Sequence, residues 1–254
     1  MTQNSVQELP ALSGQDGFGA GTSERDRLVV ALDFPSAAEA LAMVDRLEGT
    51  CRWFKVGMEL YYAAGNGLIE TLCGRGFEVF LDLKLHDIPN TVAGAVRSVA
   101  TTGASLLTIH AGGGAAMMTA AAEAAQGPTA PRLLAVTVLT SMDAGQLKGI
   151  GVEADPAEQV ARLAKLAWDS GIRGMVCSAE EVGALRGTLG SEAVLVTPGI
   201  RSAGDAVGDQ KRVATAAEAI ERGASMLVVG RPITRAADPA ATAQKILAEI
   251  RAVS

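Results

Sequence analysis

The sequence predicts a single (β/α)8 (TIM) barrel. Short apolar, β-rich runs alternate with Ala/Leu-rich amphipathic helical patterns from Arg27 to the C-terminus. Eight such units fit in 254 residues, the usual arithmetic of that barrel. The strand runs are almost continuously apolar, as parallel strands buried on both faces must be. Hydrophobic residues make up 48% and aromatics only 4%. That balance favours close helix–strand packing over a β-sandwich.

The elements follow in order. Strand Leu28–Leu32 ends at Asp33 and precedes a helix over Ala37–Leu47. Strand Trp53–Val56 carries Lys55 near its end and precedes a long helix over Glu59–Cys73. Strand Val79–Lys84 is closed off by Pro89, with a helix over Thr91–Thr101 after it. Strand Leu106–His110 leads to a helix over Ala115–Ala125, and strand Leu133–Leu139 to one over Pro156–Asp169. Strand Gly174–Cys177 is paired with helix Ala179–Leu189, and Val194–Thr197 with Lys211–Arg222. Strand Met226–Val229 and helix Ala240–Arg251 complete the set. Gly49, Gly74, Gly103, Gly171 and Gly223 stand where helices stop, the position that prefers glycine. The alternative is a doubly wound open sheet. It would usually show a glycine-rich dinucleotide turn after its first strand, and Asp33-Phe34-Pro35-Ser36 is not one. Residues 1–26 are polar and Gly-rich and read as a flexible N-terminal extension, leaving 27–254 for the barrel domain.

Composition removes several function classes. Net charge is -6 with no basic run, so nucleic-acid binding has no electrostatic support. No apolar run is long enough to span a membrane. The N-terminus lacks the charged and apolar regions of a secretory signal. Cys51, Cys73 and Cys177 are far apart and odd in number, against a disulfide framework or a zinc site. A reducing cytoplasm is the expected location. Only two histidines, His86 and His110, are present, without metal-type spacing. Trp53 and Trp168 are expected to pack.

The most informative segment is residues 81–91. Asp82 and Lys84 interrupt an apolar strand two residues apart, so their side chains share a face. Asp87 follows three residues after the lysine. Buried charges are tolerated when they neutralise each other or do chemistry. A structural ion triad at a strand end is the simpler reading of this segment alone. In a barrel, however, active sites lie at the C-terminal strand ends. Asp33, Lys55, Asp82, Lys84, His110, Thr140, Ser141, Ser178, Arg201, Gly230 and Arg231 all fall there, and packing does not explain such convergence.

Gly230-Arg231 closes the last strand. The loops after strands seven and eight are a frequent phosphate site. Glycine lets a backbone N–H approach an oxyanion, and guanidinium binds phosphate through paired hydrogen bonds. Arg201 precedes the glycine-rich run 202–210, which reads as a loop able to close over a ligand, with Gln210 adding an amide donor.

The segment Asp82-Leu-Lys-Leu-His-Asp-Ile-Pro-Asn-Thr91 resembles the signature of the orotidine 5′-phosphate decarboxylase family. The resemblance continues through Ala31-Leu-Asp33, Phe54-Lys-Val-Gly57, Val138-Leu-Thr-Ser141, Val176-Cys-Ser-Ala179, Val196-Thr-Pro-Gly-Ile-Arg201, Asp209-Gln-Lys-Arg212 and Val229-Gly-Arg-Pro232. It implies a homodimeric barrel without a cofactor that converts orotidine 5′-monophosphate to uridine 5′-monophosphate and carbon dioxide. It also implies roles. Lys84 is the proton donor to pyrimidine C6, and Asp82 lies near the departing carboxylate. Asp87, Ile88 and Thr91 reach across the dimer interface into the partner's site. Asp33 and Lys55 bind ribose hydroxyls and order the charges, and Thr140 and Ser141 meet the pyrimidine edge. Arg201, Gln210, Gly230 and Arg231 hold the phosphate.

The residues suit that chemistry. No nucleophile or cofactor motif offers a covalent route. A lysine between aspartates is expected to stay protonated, able to stabilise developing negative charge and then deliver a proton. The nearest rival is a keto-hexulose-phosphate synthase or decarboxylase, which shares Asp-x-Lys-x-x-Asp but uses magnesium. The continuation Ile88-Pro-Asn-Thr91, and the absence of glutamate just before Lys55, favour the pyrimidine enzyme. A non-catalytic nucleotide-binding barrel is a further alternative, against which the intact Lys84 and its aspartates argue.

Overall fold

The computed structural model describes residues 23–201 and 213–254. The readings made for residues 1–22, for the 202–210 loop with Gln210, and for Lys211 and Arg212 lie outside them; the helix expected over Lys211–Arg222 starts only at Ala216, after Ala214 bridges to Ile200. Among the described residues, eight parallel strands close into a barrel in sequence order. They are β1 (Leu28–Ala31), β2 (Trp53–Gly57), β3 (Glu78–Leu85), β4 (Leu106–His110), β5 (Arg132–Val136), β6 (Gly174–Val176), β7 (Val194–Thr197) and β8 (Met226–Val229). Closure is direct: Leu28, Val29 and Val30 register with Leu227, Val228 and Val229.

The strands alternate between two apolar cores. Val29, Trp53, Phe80, Leu106, Leu134 and Met226 fill the barrel. Their sequence neighbours, among them Val30, Phe54, Leu81, Leu107 and Leu227, face outward against the helices. This is the period-two alternation of a strand with both faces buried. The interior is tight enough to dictate residue size. A Cβ on Gly174 would stand 2.3 Å from Leu134 Cδ2 and 2.8 Å from the Leu133 carbonyl oxygen.

Helices cover the outer face: α1 (Glu24–Arg27), α2 (Ala37–Leu47), α3 (Met58–Ala64), α4 (Asn66–Gly74), α5 (Pro89–Val99), α6 (Gly114–Ala124), α7 (Ala144–Gly149), α8 (Pro156–Asp169), α9 (Val182–Leu189), α10 (Ala216–Glu221), α11 (Arg231–Thr234) and α12 (Pro239–Ala252). Caps set several starts. Ser36, Asp155, Thr215 and Asp238 accept backbone N–H bonds from the first turns of α2, α8, α10 and α12. No described helix is long and apolar enough to cross a membrane.

Four local expectations change. The helix expected over Glu59–Cys73 is two helices, because Gly65 (φ 65°, ψ −164°) takes a backbone conformation outside the helical region. Gly74 lies inside α4, and the left-handed residue after that helix is Gly76 (φ 82°). Strand β5 stops at Val136 rather than Leu139, and Thr137 instead hydrogen-bonds across to the Val176 carbonyl. The short α7 went unpredicted although Asp143 and Gln146 form a reciprocal capping box.

The N-terminal end of the barrel is tied by charge. Arg52 reaches Asp26 at 3.2 Å and Glu78 at 3.1 Å, and Ser105 donates to Glu78 at 2.5 Å. The short α1 that carries Asp26 lies in the segment read as an extension. At the opposite, C-terminal end the strand ends open onto a cavity.

Candidate active site

The cavity has a volume of about 720 Å³. Its floor is the barrel's own interior, Ala31, Phe80, Val136, Val176 and Val228. Its walls carry Asp33, Lys55, Asp82, Lys84, Thr140, Ser141, Arg201, Gly230 and Arg231. Nine residues predicted from six different strand ends therefore meet in one space.

Charges alternate along one wall. Lys55 Nζ lies 3.0 Å from Asp33 Oδ1 and 3.5 Å from Asp82 Oδ2. Lys84 Nζ donates to Asp82 Oδ1 at 2.8 Å. The chain Asp33–Lys55–Asp82–Lys84 thus spans β1, β2 and β3. The Asp82 side chain is only 14% exposed and Lys55 only 11%, whereas Asp33 is open at 61%. Burial by itself would raise the Asp82 pKa. The Lys55 and Lys84 charges, with hydrogen bonds from Lys84 and Thr108, outweigh it and hold the carboxyl below its ordinary value. Asp82 is therefore an anion at neutral pH.

The backbone under Lys84 departs from strand geometry. Leu81 registers with Leu107, but the next pair is Leu85 with Ile109. Strand β3 spends four residues where β4 spends two, a bulge that re-aims side chains next to the cavity. Lys84 sits at φ 50°, the only positive-φ residue other than glycine among those described. Its N–H donates to Thr108 Oγ1 at 2.8 Å, and that hydroxyl donates to Asp82 Oδ1 at 3.0 Å. Thr108 was not predicted. Its signal was a lone hydroxyl in the apolar run Leu106–Ile109.

Close backbone approach shapes the same wall. A Cβ on Gly57 would stand 3.0 Å from Lys55 Nζ. At Gly230 a Cβ would make only ordinary contacts, 3.4 Å to Ala31 Cβ and 3.6 Å to Asp33 Oδ2. Arg231 begins α11 directly after Gly230, and Arg201 follows the β7 loop with its N–H on the Ala214 carbonyl. Glu59, Phe34, Thr234 and Arg235 also line the cavity and were not predicted. They sit on helices and loops, where no strand-end rule points.

Five predicted residues lie elsewhere: Asp87, Ile88, Thr91, His110 and Ser178, the last fully buried with its N–H on the Glu181 carboxylate at 2.7 Å. Asp87, Ile88 and Thr91 stand at the start of α5 and do not line this chain's cavity. The Asp87 carboxylate accepts the Ile88 N–H at 2.6 Å, and Ile88 is 66% exposed. His86 and His110 stack on each other at 5.3 Å and do not line the cavity either. Burial, helped by the neighbouring His86 and Lys84, holds the His110 pKa below its usual value. Cys177 is buried in the outer core and Trp53 in the barrel, while Trp168 stacks under Arg173.

Comparison with known proteins identifies relatives of this chain. Residues 26–246 match the model of the "Orotidine 5'-phosphate decarboxylase / HUMPS family". The chain is 52% identical over 227 residues to an orotidine 5′-phosphate decarboxylase of Vibrio atlanticus, covering 88% of this chain and 96% of that one. It is 55% identical over 227 residues to one of Halorhodospira halophila, covering 89% and 96%. Among solved structures, an orotidine 5′-phosphate decarboxylase from Lactobacillus acidophilus superposes with a TM-score of 0.79 at 40% identity, covering 89% and 99%.

Proposed function

The chain belongs to the orotidine 5′-phosphate decarboxylase / HUMPS family, and we propose how its cavity divides the work of that reaction. The enzyme is a carbon–carbon lyase that decarboxylates orotidine 5′-monophosphate to uridine 5′-monophosphate in pyrimidine biosynthesis. One observation carries the residue assignment. The Asp33–Lys55–Asp82–Lys84 charge chain and the cations Arg201 and Arg231 line one cavity, so a single nucleotide meets both.

Arg201, Gly230 and Arg231 hold the phosphate, with Gln210 as a further donor. Asp33 and Lys55 take the ribose hydroxyls, and Thr140 and Ser141 the pyrimidine edge. Asp82 faces the departing carboxylate. As the C6–carboxylate bond breaks, its electron pair stays on C6. The Lys84 ammonium stabilises that pair and then donates its proton, leaving a neutral amine that solvent reprotonates. No residue need become covalently attached, and no cofactor is invoked.

The site is completed by a second copy of the chain. Asp87, Ile88 and Thr91 project from the start of α5 and serve the partner's cavity. The exposure of Ile88 and the position of Asp87 outside its own cavity support this arrangement. Cytoplasmic residence fits the unbridged thiols of Cys51 and Cys73. Burial pushes Cys51 up to about 12 and Cys73 up to about 11, so neither is a ready nucleophile at neutral pH.

Ultraviolet absorbance tests the reading. Orotidine monophosphate is expected to lose its absorbance signature in chelator-treated buffer with wild-type protein, and Lys84→Ala is expected to abolish the change while the protein stays folded. Unchanged turnover in Lys84→Ala removes the assigned proton donor. Chelator-sensitive turnover of a keto-hexulose phosphate in place of the nucleotide assigns the chain to the other branch of the family.

A further inference from the structure

We propose that Thr108 is a positioning residue, its hydroxyl holding Lys84 and Asp82 in their reactive arrangement across the β3 bulge. The inference rests on the decarboxylase reading of Lys84 and adds a residue to it.

The backbone groups of even-numbered β3 residues face β2, since the Glu78 N–H donates to the Arg52 carbonyl, while the Val79 carbonyl accepts from Ser105 on the β4 side. A regular strand would therefore aim the Lys84 N–H away from β4, and the bulge between Leu81 and Leu85 turns it towards β4. Thr108 is the one β4 residue between the register pairs at Leu107 and Ile109, and it is fully buried. Its oxygen accepts the Lys84 N–H at 2.8 Å, and its proton goes to Asp82 Oδ1 at 3.0 Å. The same Asp82 oxygen accepts Lys84 Nζ at 2.8 Å. One hydroxyl therefore closes a ring through the backbone and the ammonium of a single lysine.

The backbone at Lys84 needs such a tie. A lysine at φ 50° is in a sparsely populated region, and such conformations persist only where surroundings over-determine them. Glycine would take that backbone freely but has no amine. Asp82 needs the tie as well. Its Oδ2 faces Lys55 and its Oδ1 faces Lys84, so a rotation of the carboxylate would break both ion pairs at once. A donor fixed on the neighbouring strand sets that rotation. Serine would supply the same donor and acceptor. Valine would supply the same shape with neither, leaving a backbone N–H and a carboxylate oxygen short of a partner.

The experiment compares Thr108→Val with Thr108→Ser. Val is expected to lower kcat about 10–100-fold, the usual weight of a hydrogen bond to a charged group, with KM changed less than about threefold. Ser is expected to restore kcat to within about threefold of wild type. Amide hydrogen exchange at Lys84 is read in parallel. Exchange about tenfold or more faster in Val, and of wild-type rate in Ser, supports the tie. That readout needs no turnover, so it separates this inference from the reaction assignment. If wild-type protein leaves orotidine monophosphate intact, the reaction assignment fails while the exchange result still decides the Thr108 tie. Wild-type kcat and wild-type exchange in Val overturn the proposal, as does equal loss in Val and Ser. Thr108→Ala replaces Val in the same comparison if Val does not fold.

Discussion

Gly57 makes room for Lys55: a Cβ on Gly57 would stand 3.0 Å from the Lys55 ammonium and 3.4 Å from Asp33 Oδ1. The pair share strand β2, and the missing side chain of one lets the other bridge two carboxylates. Gly57 has an ordinary extended backbone (φ −89°, ψ 179°), so its value here is space and not conformation.

Gly57→Ala should therefore act on catalysis more than on folding. The lysine must give way by a few tenths of an ångström, which loosens its hold on Asp33 and Asp82. We expect kcat to fall about tenfold, since small misplacements in a charged site are costly, with the melting temperature near that of wild type. Steady-state kinetics beside thermal melting checks this; unchanged kcat shows that the ion chain tolerates displacement.

The Asp82 carboxyl gives a pH signature. Its folded-state pKa lies below the ordinary 3.8, so its charge stabilises the fold above that value and the contribution disappears as pH falls through the folded pKa. Asp82→Asn removes the charge at every pH. The melting-temperature gap between wild type and Asp82→Asn should be widest at neutral pH and close in acid below 3.8. A gap that widens in acid contradicts the assigned direction.

Arg231 is assigned to a phosphate remote from the reacting carbon. Arg231→Ala should lower kcat/KM for orotidine monophosphate by about 10²-fold or more, the weight of a charge-assisted pair. On orotidine lacking the phosphate, wild type and variant should react alike. The phosphate-free substrate should also turn over more slowly than the nucleotide at saturation, because remote binding energy is realised in the transition state. Equal saturating rates for the two substrates count against that use of the phosphate.

The proposed sharing of sites between two copies predicts complementation. Lys84→Ala and Asp87→Ala are each expected to be inactive alone. Mixed under conditions that let subunits exchange, random pairing puts both lesions in one site of each hybrid and leaves its other site intact. About a quarter of wild-type activity should return. No recovery, with hybrids demonstrated by mass, places Asp87 in its own chain's site.

Residues in the strands declared themselves in the sequence. Apolar runs of the right length and spacing have few ways to bury both faces, and the parallel barrel is one of them, so its eight strands fell close to their predicted ranges. The rule that barrel active sites lie at the strand ends pointed to Asp33, Lys55, Asp82, Lys84, Arg201 and Arg231, which line one cavity, and also to His110 and Ser178, which do not. The family signature at residues 82–91 named the reaction. What tertiary structure decided was set by contacts distant in sequence. The β3 bulge depends on how two strands register, and no local pattern marks it. Thr108 is 24 residues from Lys84, so only the folded ladder reveals that its hydroxyl bonds the lysine's backbone. Gly57 looks like any glycine until the Lys55 ammonium is seen in the space a Cβ would take. Propensity and periodicity are properties of a segment, whereas a hydrogen bond across strands or a close approach is a property of the pair, and it exists only once the chain has brought both members together.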